Sequence, residues 1–233
     1  MRSRICGWGR TVALAAVALL ALSPGFAGAR PAMAQAPSST QPLRLMIIGD
    51  SLTAGYGLPV EQAFPAQLEA ALRKQGQAVT VLNGGVSGDT SAGGKARIEW
   101  ALADKPDAVI LELGANDGLR GIDPKELHAN LATILQTLKA RGIPTFLAGM
   151  YAPPNLGDAY GKEFRAVYAR LAQEFNVPLQ PFFLDGVANK PALNQADGIH
   201  PNAAGVAVLV GNIVPLLEPW LASIGRPAPS AHR

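Results

Sequence analysis

Apolar runs and amphipathic stretches alternate along the chain from Leu43 onward. Four of the runs are nearly continuous in branched apolar residues, which is typical of strands covered on both faces of a parallel sheet. A fifth run contains Pro178 and Pro181, which cannot donate hydrogen bonds to a neighbouring strand, so it is predicted at a sheet edge. The predicted strands are residues 45–48, 78–82, 108–113, 144–149 and 177–183.

Between these runs, apolar residues recur every three or four positions and predict amphipathic helices. The helix that follows Asp123 has a capping signal at its start, and the last helix is expected to end at or soon after Pro219. Strand and helix patterns alternate through five units, which predicts a three-layer α/β/α sandwich around a parallel sheet. The helical stripes lie at 64–72, 127–138, 164–175 and 206–217, with a weaker one at 90–105.

The first 34 residues have the pattern of an export signal. An arginine-rich start precedes an apolar run at 11–22, and small-residue cleavage sites follow, ending at Ala29 and Ala34. The apolar run is too short to span a bilayer comfortably. We therefore predict a signal peptide over 1–34 with cleavage after Ala34, and hence a periplasmic or secreted protein without a stable membrane anchor. Cleavage after Ala29 and an uncleaved N-terminal anchor are the alternatives.

Removal of residues 1–34 changes the charge balance. The whole chain has 20 basic and 17 acidic residues; this segment holds four arginines and no acids, which leaves 16 basic and 17 acidic residues and a formal charge of −1. The basic excess of the whole chain therefore comes from the predicted export signal and does not indicate a nucleic-acid partner. The single cysteine, Cys6, is also removed, so the mature chain would have no disulfide and no thiolate ligand. A linker at 35–42, a domain at 43–224 and a disordered tail at 225–233 complete the predicted organisation.

Polar clusters follow four of the predicted strands. They lie at residues 49–51, 83–89, 114–118 and, beyond a loop, 197–202. In open α/β sheets, ligands bind outside the carboxyl ends of the strands. We therefore expect the four clusters to meet at one edge of the sheet and to form a site there.

Among the three histidines, His200 is the best candidate for a catalytic base. His128 is expected on a solvated flank of its helix, and His232 lies in the predicted tail. Asp197 precedes His200 by three residues, so its carboxylate can reach the imidazole and fix its tautomer and orientation. A structural role for His200 remains the simpler alternative.

Ser51 becomes a nucleophile only if His200 reaches it, because a serine hydroxyl is weak without a base. A helix cap or turn is the alternative role for Ser51, and Ser87 is the rival nucleophile. The Gly88 N–H, the Asn116 side chain and the Ser51 N–H are candidate donors to an oxyanion. A tight turn and an Asx-turn are the alternatives for these two loops. Other candidate acids are Asp50, Asp89, Asp117 and Glu112; we interpret Asp50 and Asp89 as loop-fixing groups and Glu112 as a buried, hydrogen-bonded strand residue.

The segments GDSL, NGGVSGDTS, LELGANDGLRG and DGIHPN occur in the order of the four sequence blocks of the SGNH (GDSL) hydrolase superfamily. The chain resembles this superfamily over about residues 43–217, most closely its bacterial periplasmic thioesterase I, lysophospholipase and arylesterase branch. The resemblance implies a flavodoxin-like sheet of order 2-1-3-4-5 and a relay of Ser51, His200 and Asp197. It also implies an oxyanion hole formed by Ser51, Gly88 and Asn116. Ala115 departs from the glycine expected there, which bears on acyl-chain preference.

The expected function is hydrolysis of lipid, aryl or short-chain esters, or of thioesters, through an acyl-serine intermediate, by a monomer that needs no metal or cofactor. One alternative is a flavodoxin-like module that binds a phosphate or sugar in the glycine-rich loop near Asn83–Gly88. Another is a metal-dependent phosphoesterase. Its ligands would be Asp50, Asn116, Asp197 and His200, a sparse set for a transition metal.

Overall fold

A computed structural model describes residues 41–224 of the chain. The predicted signal peptide, nearly all of the linker and the C-terminal tail lie outside these residues. These residues include five strands: β1 (Leu43–Gly49), β2 (Val79–Gly85), β3 (Ala108–Glu112), β4 (Thr145–Ala148) and β5 (Leu179–Gln180). The strands are parallel and form one sheet in the order β2-β1-β3-β4-β5, which confirms the predicted flavodoxin-like order.

The strands follow the apolar runs because the sheet is covered on both faces. Every residue of β3 and β4 is buried, as expected for inner parallel strands. The edge position of β5 is also confirmed, but β5 has only two residues where the pattern predicted seven. Pro178 and Pro181 flank it directly, and neither offers an N–H to extend the pairing.

Residues 41–224 form seven α-helices: α1 (Ser51–Ala54), α2 (Phe64–Lys74), α3 (Ser91–Ala101), α4 (Ala115–Leu119), α5 (Pro124–Ala140), α6 (Asp158–Phe175) and α7 (Ala203–Ile224). The five longer helices form the two outer layers. On one side α2 packs against α7, and on the other α5 packs against both α3 and α6. The two short helices, α1 and α4, lie at the carboxyl edge of the sheet and were not visible as periodic patterns.

Helix α7 continues beyond the predicted end and contains Pro215 and Pro219. Each proline removes one backbone N–H from the helix, yet α7 continues through both of them to Ile224. By length and hydropathy α7 resembles a membrane span, but half of its most apolar stretch is buried. Its apolar stripe packs into the domain core against α2, which accounts for the composition.

Close packing at Gly85 brings β2 against α1. A Cβ atom at this position would lie 2.3 Å from the backbone nitrogen of Ala54, so only glycine permits the contact. Directly after Gly85, the N–H of Val86 donates to the Gly49 carbonyl at 3.1 Å. The loop that follows β2 is thereby placed beside the end of β1, where the first polar cluster lies.

Candidate active site

Ser51 is the first residue of α1 and lies at the point where β1 ends. Asp50 caps this helix, since its Oδ1 accepts the Leu52 N–H at 2.9 Å. The helix stops after one turn at Gly55, which has a left-handed backbone (φ 81°). The Ser51 side chain is therefore held on a short, capped turn at the carboxyl edge of the sheet.

The structure brings His200 to Ser51 although 149 positions separate them. The distance from His200 Nε2 to Ser51 Oγ is 2.8 Å, and His200 Nδ1 lies 2.7 Å from Asp197 Oδ2. With its proton on Nδ1, the imidazole donates to the carboxylate and turns the Nε2 lone pair toward the serine hydroxyl. This arrangement can accept the hydroxyl proton.

Asp197 is held in its charged form by donors from its own loop. Its Oδ1 accepts the backbone N–H of His200 at 3.0 Å and that of Ile199 at 2.9 Å. The His200 backbone N–H, then its imidazole and then the Ile199 N–H lower the pKa of Asp197 to about 2. A side chain that is 37% exposed thus remains ionised across the neutral range and can orient the imidazole.

Residues that carried no sequence signal hold the histidine loop in place. Asn194 and Pro201 form an antiparallel bridge across the loop, and the Gln195 N–H donates to the His200 carbonyl at 2.7 Å. The Gln195 side chain donates to the Tyr56 carbonyl at 2.7 Å, which ties the loop to the segment after α1. The Tyr56 ring lies 4.6 Å from the imidazole ring, measured between centroids. The two contacts of Tyr56 join segments that are distant in sequence, so the sequence gave no pattern for them.

The predicted oxyanion donors lie on the segments that follow β1, β2 and β3. Gly88 has φ 86°, and a Cβ there would point into open space, so the backbone conformation is what favours glycine. Within residues 41–224, neither the Ser51 N–H nor the Gly88 N–H donates to a protein acceptor. The Asn116 amide reaches the Asp89 carbonyl at 2.9 Å and Asp50 Oδ2 at 3.3 Å. The site therefore offers two unengaged backbone donors and a nearby amide.

Two arginines hold the loop that carries Gly88. Asp89 and Arg97 form an ion pair at 2.5 Å, and Arg97 also donates to the Gly49 carbonyl at 3.0 Å. Arg120 donates to the Gly88 carbonyl at 2.9 Å. Asp89 thus fixes this loop, as predicted, and His200 contacts Ser51 rather than the exposed Ser87.

Two buried carboxyl groups lie beneath the serine. Burial raises the pKa of Asp50 to about 6, against the opposing effects of the Leu52 N–H, His200 and Asn116. Burial, and then the charge of Asp50, raise the pKa of Glu112 well above its ordinary value. Glu112 Oε2 accepts the Thr53 hydroxyl at 2.8 Å, so Glu112 is the buried, hydrogen-bonded strand residue that we predicted.

The remaining candidates serve other contacts. Asp117 accepts the Ser91 N–H at 2.7 Å and its hydroxyl at 2.5 Å, which joins α4 to α3. His128 Nε2 lies 3.2 Å from Glu174, linking α5 to α6. In the described part of the chain, no three His, Cys, Asp or Glu side chains are grouped so that they could share a metal ion. The four ligands of the phosphoesterase alternative thus do not converge on one point.

Comparison with known proteins gives a family match that spans the whole site. The model of the GDSL-like Lipase/Acylhydrolase family matches residues 47–208, a range that includes Ser51, Gly88, Asn116, Asp197 and His200. Esterase TesA of Pseudomonas aeruginosa is 44% identical over 178 residues, which are 76% of this chain and 89% of that protein. An arylesterase of Vibrio mimicus is 41% identical over 77% of this chain and 84% of its own length.

Thioesterase 1/protease 1/lysophospholipase L1 of Escherichia coli is also 41% identical, over 76% of this chain and 81% of that protein. Among solved structures, the crystal structure of TesA matches with a TM-score of 0.72 and 44% identity, covering 76% of this chain and 98% of that one. The similarity therefore extends through the sheet, the helical layers and all four polar clusters.

Proposed function

The chain belongs to the GDSL-like lipase/acylhydrolase family and is a serine ester hydrolase, and we propose that Ser51, His200 and Asp197 carry out its chemistry. The observation that carries the proposal is the 2.8 Å approach of His200 Nε2 to Ser51 Oγ. His200 takes the Ser51 proton while Oγ forms a bond to the substrate carbonyl carbon. Asp197 keeps the imidazole in the required tautomer and stabilises the imidazolium that results.

The negative charge on the carbonyl oxygen is stabilised by three donors: the backbone N–H groups of Ser51 and Gly88, and the Asn116 amide. Collapse of the tetrahedral intermediate breaks the bond to the leaving group, which takes its proton from His200. Water then attacks the acyl-serine with His200 again as base, and the acid leaves. Each donor of this kind contributes about 3–4 kcal/mol of transition-state stabilisation.

We propose an apolar ester or thioester as the substrate: a lipid, aryl or short-chain acyl group. Five large apolar side chains are exposed on the segments that follow the strands and on the histidine loop, where an acyl or aryl group would lie. They are Tyr56, Val86, Leu119, Tyr151 and Ile199. The printed names of the relatives, which include an arylesterase and a thioesterase, agree with this class.

We propose that the protein works outside the cytoplasm as a monomer. Support for export comes from the signal pattern of residues 1–34, and support for a monomer from the site, which takes all of its residues from one chain. Mass spectrometry of the protein recovered from the periplasm or medium tests the first point. A mature chain beginning at Gln35 agrees with cleavage after Ala34, whereas one beginning at Arg30 would place the cut after Ala29.

The test of the mechanism uses p-nitrophenyl esters and acyl-CoA thioesters of graded chain length. We expect Ser51→Ala and His200→Ala each to lower kcat by about 10⁴–10⁶-fold, with circular dichroism unchanged. Ser87→Ala is the matched control and should keep kcat within about 3-fold, because Ser87 lies on the adjacent loop without contacting His200. Turnover at the wild-type rate by either Ser51→Ala or His200→Ala would remove the proposal, and inhibition by EDTA would point instead to a metal-dependent reaction.

A further inference from the structure

The Asn116 amide is fully engaged in the resting site. Its nitrogen carries two hydrogens; one is directed to the Asp89 carbonyl at 2.9 Å and the other to Asp50 Oδ2 at 3.3 Å. A substrate oxyanion must therefore take over a hydrogen that a protein oxygen already holds. The contact with Asp50 is the longer and hence the weaker one, and Asp50 directly precedes Ser51, so this hydrogen is the one the oxyanion can take.

Asp50 cannot move away from this contact. Its side chain is buried, and its Oδ1 is fixed by the Leu52 N–H at 2.9 Å, which leaves Oδ2 facing Asn116. An ionised carboxylate only accepts hydrogen bonds. The amide must therefore present its NH₂ end to this oxygen, because a flipped amide would place its own oxygen against two acceptors.

The distribution of hydrogen-bond donors decides which of the two buried carboxyl groups carries the charge. Asp50 has a donor at each of its oxygens, the Leu52 N–H and the Asn116 amide, whereas Glu112 has the Thr53 hydroxyl and, with a smaller effect, the backbone N–H of Asp50. Among the described residues, Glu112 Oε1 has no partner at all. Two neighbouring buried carboxyls do not both ionise readily, so Asp50 is the anion and Glu112 keeps its proton.

We propose that Asp50 is a positioning residue for oxyanion stabilisation: its carboxylate holds the Asn116 amide with an N–H aimed beside Ser51 until the oxyanion replaces it. The proposal rests on the function assigned above to Ser51, His200 and Asn116. It gives Asp50 a role separate from capping α1, since capping uses Oδ1 and the amide contact uses Oδ2.

The variant Asp50→Asn separates these two roles. Asparagine caps helices as well as aspartate does and has the same shape, but its single oxygen can accept from Leu52 or from Asn116, not from both. We expect kcat on p-nitrophenyl esters to fall about 10–100-fold while KM changes less than about 3-fold, because the lost interaction acts in the transition state. Asp50→Ser, which also caps but is too short to reach Asn116, should behave alike.

The decisive measurement is a double-mutant cycle with Asn116→Ala. If Asp50 acts through the amide, Asp50→Asn should lower kcat by less than about 3-fold once Asn116 is absent. If Asp50→Asn lowers kcat in the Asn116→Ala variant by the same 10–100-fold as in wild type, Asp50 acts independently of the amide and the proposal is overturned. The proposal is equally overturned if both Asp50 variants keep wild-type kcat and KM.

The control is Glu112→Gln, an isosteric change in the other buried carboxyl, which does not contact Asn116. It should keep kcat within about 3-fold, and a loss as large as that of Asp50→Asn would attribute the effect to general disturbance of the buried pair. Thermal unfolding of every variant identifies changes that act through stability. Failure of this proposal can be told from failure of the proposed function. Only if the proposed function is wrong would Ser51→Ala remain active.

Discussion

Asp197 and Glu112 are both carboxyl groups near the reacting serine, and they behave in opposite ways. Asp197 lies on a loop, partly exposed, and three donors hold its pKa at about 2. Glu112 lies at the end of β3, completely buried, and its pKa is raised well above the ordinary value, because desolvation and the charge of Asp50 outweigh the Thr53 hydroxyl and the Asp50 N–H as donors. A carboxyl group is therefore kept charged where its donors outweigh desolvation, and is not where burial outweighs them.

This difference in pKa corresponds to a difference in the roles of the carboxyl groups. In the proposed mechanism the histidine loop uses an ionised carboxylate to direct a base, whereas the buried carboxyl groups other than Asp50 join elements of the domain. Substitutions that alter a donor, an acceptor or a charge should consequently affect activity in the first region and stability in the second.

Among the substitutions that test this comparison, Asp197→Asn should have the largest effect. The amide cannot hold the imidazole in the tautomer that the reaction needs, so kcat/KM for ester hydrolysis should fall about 10³–10⁴-fold. Thermal unfolding should change little, because the side chain is on the surface. A large fall in the unfolding temperature with activity retained would reverse the assignment of the two regions.

Asp117→Ala should have the second largest effect, and on stability. It leaves the buried Ser91 N–H and hydroxyl without the carboxylate that accepts both of them, which should cost about 2–4 kcal/mol of unfolding free energy. Chemical denaturation with urea measures this loss. The matched variant Asp117→Asn keeps one acceptor and should lose less; equal stability of all three proteins would contradict the assignment.

The sequence predicted the parts of this comparison that are local. Buried β1, β3 and β4 gave near-continuous apolar runs, and Asp197 and His200 lie three positions apart, so their pairing follows from the chain itself. The short length of β5 could not be predicted in this way, because the effect of its flanking prolines on strand pairing depends on which strand lies beside it. The contacts of Gln195 with Tyr56 and of Asp50 with Asn116 join segments that are distant in sequence, and periodicity carries no information on such pairs.

The third prediction concerns pH. A raised pKa means that the contribution of Glu112 to unfolding free energy is full below its ordinary value of 4.5 and is lost as pH rises toward the folded-state pKa. The stability of Glu112→Gln relative to wild type should therefore increase with rising pH, by about 1.4 kcal/mol for each unit by which folding raises the pKa of Glu112.

The stability of Asp197→Asn relative to wild type should change with pH in the opposite direction, increasing as pH falls. Asp197 contributes stability above its ordinary pKa of 3.8, and this contribution is lost as pH falls toward about 2; it is small, because solvent screens the partly exposed side chain. Urea denaturation from acidic to mildly alkaline pH checks both signs, and parallel curves would refute them.

The smallest effect is expected from His128→Gln. His128 contacts Glu174 at the junction of α5 and α6, away from Ser51, and such partly exposed pairs contribute about 0–1 kcal/mol. Ester hydrolysis should stay within about 2-fold of wild type and stability within about 0.5 kcal/mol. A loss of activity close to that of His200→Ala would mean that the base has been assigned to the wrong histidine.

The short separation of Asp197 and His200 has a consequence for how the active enzyme assembles. Because Asp197 and His200 are hydrogen-bonded within one loop, formation of the proposed relay requires only that this loop pack against Ser51. Besides the His200–Ser51 contact, this loop is tied to the segment after α1 by the Gln195–Tyr56 hydrogen bond and the Tyr56–His200 ring contact, whereas the Asn194–Pro201 bridge closes the loop on itself. We therefore expect the loop to open at a lower free energy than the sheet. Heat or denaturant should then abolish ester hydrolysis before the helices unfold. A substitution that strengthens the contact of the loop with Tyr56 would be the most direct route to an enzyme that stays active longer.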